Sequence, residues 1–340
     1  MDDAEFFSET SAQKQKQCLC RKINAFGIVL ITTLVLSIVF GYFMHLFGKS
    51  FHPIFMHSLV FIFKKAFSVG NAKAFIFATE FSTSFLFSTV QQMISYFICL
   101  FIPFYIYIKI LKKSVGSYFK VDGKLPNGFF FLAMFTISIG FCTSLLPSFL
   151  DFLPDFSNVF YQDNLQVPTT IFELFLAILA TAILPALVEE FIFRGIILSE
   201  LLPYGKSFAV VASAMMFGIS HFSIPQFAYA FLIGIIFGYL ALETGSLKTT
   251  IMIHALNNAI TLFNSYIGNI LSKQNQTIYL LIFNSLIFLF GLFGIYFLMK
   301  RNPFSESAST LESPVKIRCL FAPAMSVYLV IFVVCTVLLL

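Results

Sequence analysis

The sequence predicts an all-α, polytopic transmembrane helical bundle of about eight or nine spans. Of its 340 residues, 59% are hydrophobic and only 11% are charged, whereas a soluble domain carries about 25% charged residues. The apolar residues form runs long enough to cross the hydrocarbon core of a bilayer as helices. The net charge of +5 lies mainly in the short loops between these runs. It therefore bears on orientation in the membrane and does not indicate nucleic-acid binding.

The N-terminal part of the chain predicts a cytoplasmic segment followed by a transmembrane region. Residues 1–22 are polar, and the next apolar run is longer than the 7 to 15 residues of a signal-peptide core, so we expect a retained anchor. Residues 48–84 are interrupted by four lysines and a glutamate, which favours an interfacial helix or a folded outer loop over a span. The transmembrane region 23–168 is thus predicted to hold three spans, at 23–47, 85–108 and 129–150.

Four consecutive apolar segments follow and are predicted to form the core, residues 169–268. The second and third segments are short for spans, which is tolerated where a segment is buried among other helices or lines a water-filled cavity. Gly234 and Gly238 form a Gly-x-x-x-Gly pair, which predicts close packing on a neighbouring helix. The four segments are 169–201, 207–222, 226–242 and 249–267. The C-terminal region 269–340 adds a span at 278–299, a polar linker at 300–318 and a last span at 319–340.

The basic residues orient this bundle. In a nine-span topology with a cytoplasmic N-terminus, 15 of the 21 Lys and Arg residues lie on the inner side and five on the outer side. This asymmetry satisfies the positive-inside rule. We therefore expect a multi-pass protein of the cell membrane that is in contact with the lipid bilayer.

Three ionisable residues lie deep within the segment 169–201. Burying a charged group at that depth of the bilayer costs free energy, so such groups face protein or water. They indicate a functional site by default. A helix turns about 100° per residue, which places Glu190 and Arg194 on one face at the spacing where a carboxylate and a guanidinium pair. Glu189 then points elsewhere. We expect Arg194 to hold Glu190 and Glu189 to be available for chemistry.

The next segments add the groups that a hydrolase needs. A carboxylate such as Glu189 in an apolar pocket is a competent general base for water, and His221 can share or relay the proton. His254 and Asn258 lie four residues apart on one helix, so both side chains project from the same face. An imidazole N–H and a carboxamide N–H₂ aimed at one point form an oxyanion hole. The set predicts a peptidase that works inside the membrane.

The same residues leave a metal site open as an alternative. Two histidines with a carboxylate suit zinc, which keeps water in its open position. Asn is an unusual zinc ligand, and the His-Glu-x-x-His arrangement is absent from the sequence. We therefore predict no cofactor, with zinc or another divalent ion as the alternative. The six cysteines lack the spacing of a zinc site and are interpreted as packing residues.

Three motifs resemble those of a known family. Glu189-Glu190-Phe-Ile-Phe-Arg194 is similar to a Glu-Glu-x-x-x-Arg motif, Phe217-Gly-Ile-Ser-His221 to Phe-x-x-x-His, and His254-Ala-Leu-Asn-Asn258 to His-x-x-x-Asn. All three occur, in order, in the CPBP family of intramembrane peptidases, named for CAAX proteases and bacteriocin-processing enzymes and also called Abi. The resemblance covers residues 169–267.

The resemblance implies a role for each motif residue. Glu189 with His221 would activate the attacking water, His254 and Asn258 would form the oxyanion pocket, and Glu190 with Arg194 would hold the site together. The substrate would be a membrane-associated peptide or protein. Two other functions are weighed beside the peptidase: a non-catalytic protein of the same family acting in bacteriocin self-immunity or scaffolding, and a proton-coupled transporter. No convincing internal repeat of the kind many transporters carry is present.

Overall fold

The chain is helical wherever its structure is described. The computed structural model describes residues 3–50, 52–82, 84–144, 167–301 and 311–338. Within these ranges it contains α-helix, π-helix and 3-10 helix and no strand. The prediction of an all-α fold is therefore confirmed.

The helices are numbered in chain order. They are α1 (Asp3–Ser50), α2 (His52–Phe67), α3 (Asn71–Ser82), α4 (Phe85–Ile110), α5 (Phe129–Ser144), α6 (Ile171–Tyr204), α7 (Lys206–Ile219), α8 (Ile224–Thr244), α9 (Lys248–Ile270), α10 (Lys273–Met299), α11 (Ser313–Leu320) and α12 (Pro323–Leu338). Two of these helices, α4 and α6, contain π-helical turns, and the last turn of α6 is a 3-10 turn.

Five helices are long and apolar enough to cross a membrane, namely α1, α4, α6, α8 and α10. A sixth span results if α11 and α12, which meet at a bend of 64°, count as one. Helices α5 and α7 are apolar but shorter, and α9 carries too many polar residues to pass by composition. The protein is thus a multi-pass membrane protein, while length and composition alone do not establish the predicted eight or nine spans.

Two predicted segments differ in detail from the structure. The region 48–84 is a pair of helices, α2 and α3, joined by a turn in which Ser68 has φ +53°. The last span was predicted as one run over 319–340, but the helix breaks at Phe321 and restarts at Pro323. Proline disfavours a helical conformation of the residue before it, so a new helix begins there. Much of the predicted linker and the end of the third predicted span lie outside the described residues.

One end of the bundle gathers the basic residues of several loops, and we call it the basic end. Its centre is Glu200, a buried carboxylate near the end of α6 that is 2.8 Å from Lys22 Nζ and also pairs with Lys113. The hydroxyl of Tyr118 donates to the same carboxylate at 2.5 Å. Burial, and then this hydrogen bond, raises the pKa of Tyr118 above that of a free phenol. Glu200 therefore fastens α1, α6 and the loop after α4 together.

The remaining loops of the basic end are fastened in the same way. The backbone N–H of Leu247 donates to the carbonyl of Lys120 at 2.7 Å. Arg301, just after α10, pairs with Glu243 at 2.9 Å and donates to the carbonyl of Asn127 at 2.6 Å. These contacts hold the basic ends of α5, α8, α9 and α10 side by side.

Helix α1 is joined to both α11 and α12. Cys20 and Cys319 form a disulfide, and the side-chain oxygen of Asn24 accepts from the backbone N–H of Ala324 at 2.9 Å. The packing interpretation is therefore wrong for these two cysteines, which lie 299 residues apart and gave no local signal of pairing. Cys99 is buried and does act as a packing residue.

The glycine pair of α8 packs on α7, as the sequence predicts. A Cβ added at Gly234 would lie 2.9 Å from the Cβ of Ala214, and one added at Gly238 would lie 2.9 Å from Val210 Cγ1. The same Cβ at Gly234 would come within 3.3 Å of Arg194 Nη2. The small residues thus set the spacing of two helices that enclose the buried arginine.

Replacing Gly234 with alanine is expected to destabilise the protein by about 1–3 kcal/mol, because the extra methyl group overpacks this contact. The measurement is the unfolding midpoint of the purified protein in detergent micelles. Gly41→Ala is the matched control, since it is also a helical glycine and no atom lies within 4 Å of its added Cβ. Equal midpoints for the two variants would contradict the close packing.

Candidate functional site

The site is built on a buried ion pair in α6. Arg194 Nη1 lies 2.6 Å from Glu190 Oε1, and neither residue has more than 2% of its surface exposed. The arginine head also stacks over two rings, 4.4 Å from the centroid of Phe217 and 5.3 Å from that of Phe237. A buried pair is tolerated only where further contacts offset the loss of hydration. The i,i+4 pairing predicted from the sequence is present.

His254 of α9 lies between the two consecutive carboxylates. Its Nδ1 is 3.0 Å from Glu190 Oε1, and its Nε2 is 3.5 Å from Glu189 Oε2. An ionised carboxylate only accepts hydrogen bonds, so Nδ1 facing the paired Glu190 carries a proton. One imidazole thereby connects the ion pair to the neighbouring acid.

Glu189 faces the interior of the bundle. Its side chain is 13% exposed, and the hydroxyl of Tyr96 on α4 donates to its Oε1. Its two carboxylate oxygens consequently have different neighbours, a phenol on one side and His254 on the other. Sequence reasoning missed Tyr96, because α4 carries three tyrosines in an apolar run and nothing in their spacing distinguishes this one.

Asn258 lies one turn after His254 and contacts α6. Its Nδ2 donates to the carbonyl of Thr181 at 3.2 Å. This carbonyl lies four residues before Pro185, which has no N–H to bond it, and it falls in the π-helical segment Ile178–Ile183. The carboxamide therefore satisfies a backbone group that the proline leaves free. One N–H of the amide remains for another acceptor.

His221 follows the end of α7. Its Nδ1 is 2.9 Å from the carbonyl of Phe217, and its ring packs against the Phe217 ring at a centroid distance of 5.0 Å. The same phenylalanine contacts His254 at 5.9 Å. The two imidazoles thus flank one aromatic ring, and no described contact joins His221 directly to Glu189.

The shortness of α7 explains how His221 comes to lie inside the bundle. The helix begins at Lys206 and ends at Ile219, which corresponds to about 20 Å at 1.5 Å per residue. A bilayer core is about 30 Å thick, so a helix of this length that starts at one face of the core ends before the other face, and the loop after it lies at membrane depth. Such a loop is tolerated where protein or a water-filled cavity surrounds it.

π-Helical turns surround the site. One of them, Phe191–Ile197, contains Arg194, and another, Phe97–Phe101, directly follows Tyr96. The carbonyl of Phe193 accepts from Ser213 of α7 at 2.6 Å, so the altered backbone is satisfied from outside. Single-turn π-helices of this kind are frequent at functional sites.

The structure thus brings Glu189, Glu190, Arg194 and His254 into one network of contacts. It places His221 beside this network through Phe217, and Asn258 one helical turn along α9. Within the described residues, no group of three His, Cys, Asp or Glu side chains has the arrangement of a metal site.

Comparison with known proteins identifies the part of the chain that carries this site. Residues 171–260 match a family model described as "Type II CAAX prenyl endopeptidase Rce1-like". No curated protein and no solved structure matches the chain. The matched segment runs from the start of α6 into α9 and contains all six predicted site residues. Residues 171–260 therefore resemble an Rce1-like domain, a family model that belongs to the CPBP family.

Proposed function

We propose that this protein is an intramembrane endopeptidase that hydrolyses a peptide bond of a membrane-associated peptide or protein. The observation that carries the proposal is the position of His254 between Glu189 and Glu190, with Glu190 fixed by Arg194. Activation of a water molecule requires a carboxylate outside the ion pair, an imidazole and a rigid support in one buried place. Glu189, His254 and the Glu190–Arg194 pair supply these three parts. The Rce1-like domain supports the same class of reaction.

In the proposed mechanism, Glu189 is the general base. It takes a proton from a water molecule whose oxygen then attacks the carbonyl carbon of the scissile bond. The proton passes to the leaving amine as the carbon–nitrogen bond breaks, so acid and base return to their starting states. We assign His221 to relaying this proton, since its ring lies beside the network through Phe217.

His254 and Asn258 are proposed to stabilise the oxyanion. An imidazolium has an N–H on both ring nitrogens, so His254 can bond Glu190 through Nδ1 and still present Nε2–H to an oxyanion. Asn258 has one amide N–H left after its bond to Thr181. Both donors come from one face of α9, which keeps their spacing fixed.

We also propose nine membrane crossings with a cytoplasmic N-terminus. Contacts at the basic end support this number, because they join parts of the chain that are separated by pairs of helices. Glu200 contacts Lys22 and Lys113. Between Lys22 and Lys113 the helices long and apolar enough to cross are α1 and α4, while α2 and α3 are not among them, and α5 and α6 lie between Lys113 and Glu200. Helices α7 and α8 lie between Glu200 and Glu243, and α9 and α10 lie between Glu243 and Arg301. These eight helices, followed by α12, give nine crossings.

The function is tested by comparing the membrane peptides of cells that carry the wild type with those of cells that carry Glu189→Gln. We expect at least one product peptide to disappear in the variant while its uncleaved precursor accumulates, with both proteins present at equal levels in the membrane. Mass spectrometry identifies the peptide and its cleavage position. Identical profiles would reject the peptidase and favour the non-catalytic family member.

The same substrate tests the metal and transporter alternatives. We expect purified protein to cleave the identified peptide at an unchanged rate after exhaustive chelation, because the proposed reaction uses only protein side chains. Loss of cleavage that added zinc restores would establish the metal alternative. Substrate-dependent proton flux in vesicles, without cleavage, would establish the transporter.

A further inference from the structure

We infer that Tyr96 is a positioning residue that fixes the carboxylate of Glu189 for its role as general base. The inference rests on the proposed function and adds a residue from α4, which lies outside the Rce1-like domain. Its basis is the hydrogen bond from the Tyr96 hydroxyl to Glu189 Oε1.

Helix α4, which carries Tyr96, is packed against both α6 and α1. Next to it, Phe101 of α4 stacks near Phe191 of α6 at a centroid distance of 5.9 Å. Farther along α4, Tyr107 packs against Phe26 of α1 at 5.5 Å. The hydroxyl of Tyr96 is therefore presented by a helix that is fixed on two sides.

The hydrogen bond also completes the set of groups around Glu189. His254 approaches the other carboxylate oxygen at 3.5 Å, and Glu190 and Arg194 lie next along the same helix. A glutamate has three rotatable side-chain bonds, and neither Glu190 nor Arg194 is hydrogen-bonded to Glu189 in the structure. Donation from a rigid phenol to one oxygen restricts the side chain and leaves the second oxygen toward His254. A general base acts efficiently only when its reactive oxygen is held in this way.

The test is Tyr96→Phe, which removes the hydroxyl and keeps the ring. We expect kcat for the peptide identified by the membrane-peptide comparison to fall about 10- to 100-fold, the usual value of one charge-assisted hydrogen bond. KM is expected to stay within about twofold, because the group acts through Glu189 and does not touch substrate. Tyr105→Phe is the matched control: this tyrosine lies in the same helix with its ring beside Lys109, and we expect no change in either constant.

An infrared difference spectrum supplies a readout that does not depend on cleavage. The carboxylate band of Glu189 is assigned by its loss in Glu189→Gln. We expect Tyr96→Phe to move this band and Tyr105→Phe to leave it in place. A band unchanged in Tyr96→Phe would overturn the inference, as would an unchanged kcat in a protein whose Glu189→Gln variant is inactive. Full cleavage by Glu189→Gln would instead overturn the proposed function. The infrared band of Glu189 would still show whether Tyr96 is hydrogen-bonded to this carboxylate.

Discussion

Replacing Arg194 with methionine is expected to lower the free energy of unfolding by about 3–5 kcal/mol. The substitution keeps much of the side chain that packs between Phe217 and Phe237 but removes the charge. It leaves the Glu190 carboxylate, which has no exposed surface, without its strongest partner. The cost is that of an uncompensated charge in a medium where water cannot replace the lost contact.

The partner substitution distinguishes this cause from a simple loss of packing. In Arg194→Met combined with Glu190→Gln no unpaired charge remains, so we expect the double variant to recover most of the lost stability. Stability is measured by denaturant unfolding in micelles of one detergent for all variants. A double variant that is less stable than Arg194→Met would show that the pair matters through packing and not through charge.

The helix geometry of α6 and α9 made part of this site predictable. Positions four apart on a helix share a face whatever the helix packs against, and the Glu190–Arg194 pair follows from that rule alone. The carbonyl of Thr181 is similarly predictable as a free acceptor, because Pro185 removes its donor. The residue that satisfies it, Asn258, is known only once α9 is packed on α6.

The contacts between helices depend on how each helix is rotated about its own axis, which a sequence does not specify. Sequence reasoning paired Glu189 with His221, whereas in the structure His254 is the imidazole beside Glu189. The role of Tyr96 could not be predicted for the same reason, because what distinguishes this tyrosine is the residue that it faces on another helix.

The basic end shows a second limit of sequence reasoning. Sequence reasoning used the basic residues in loops to predict the orientation of the protein in the membrane, and it did not single out Glu200. In the structure this one buried carboxylate collects Lys22, Lys113 and Tyr118 from distant parts of the chain. Hydropathy identifies which segments enter the membrane, but the polar groups that fasten their ends together are brought in by tertiary packing.

The adjacent glutamates offer the sharpest test of the site, because the same chemical change is expected to have opposite consequences at the two positions. Glu189→Gln should lower kcat by about 10²- to 10⁴-fold, the usual contribution of a general base. It should change the free energy of unfolding by no more than about 1 kcal/mol, since the nearest basic group, His254 at 3.5 Å, keeps its closer contact with Glu190 and the amide can still accept from Tyr96.

Glu190→Gln should instead cost about 3–5 kcal/mol of stability, because it leaves Arg194 buried without its carboxylate. The remaining folded enzyme would also have a neutral amide oxygen in place of the charged acceptor that orients Nδ1 of His254, so some loss of kcat is expected as a secondary effect. Both variants are compared in one detergent by unfolding and by cleavage of the same identified peptide. Equal losses of stability, or a Glu189→Gln enzyme that keeps more than half of the wild-type kcat, would contradict the division between a reacting acid and a supporting one. The expected pattern requires that these two neighbours on one helix have different surroundings. Glu190 is paired and fully enclosed, whereas Glu189 is held at the edge of the network, where a substrate carbonyl and a water can reach it.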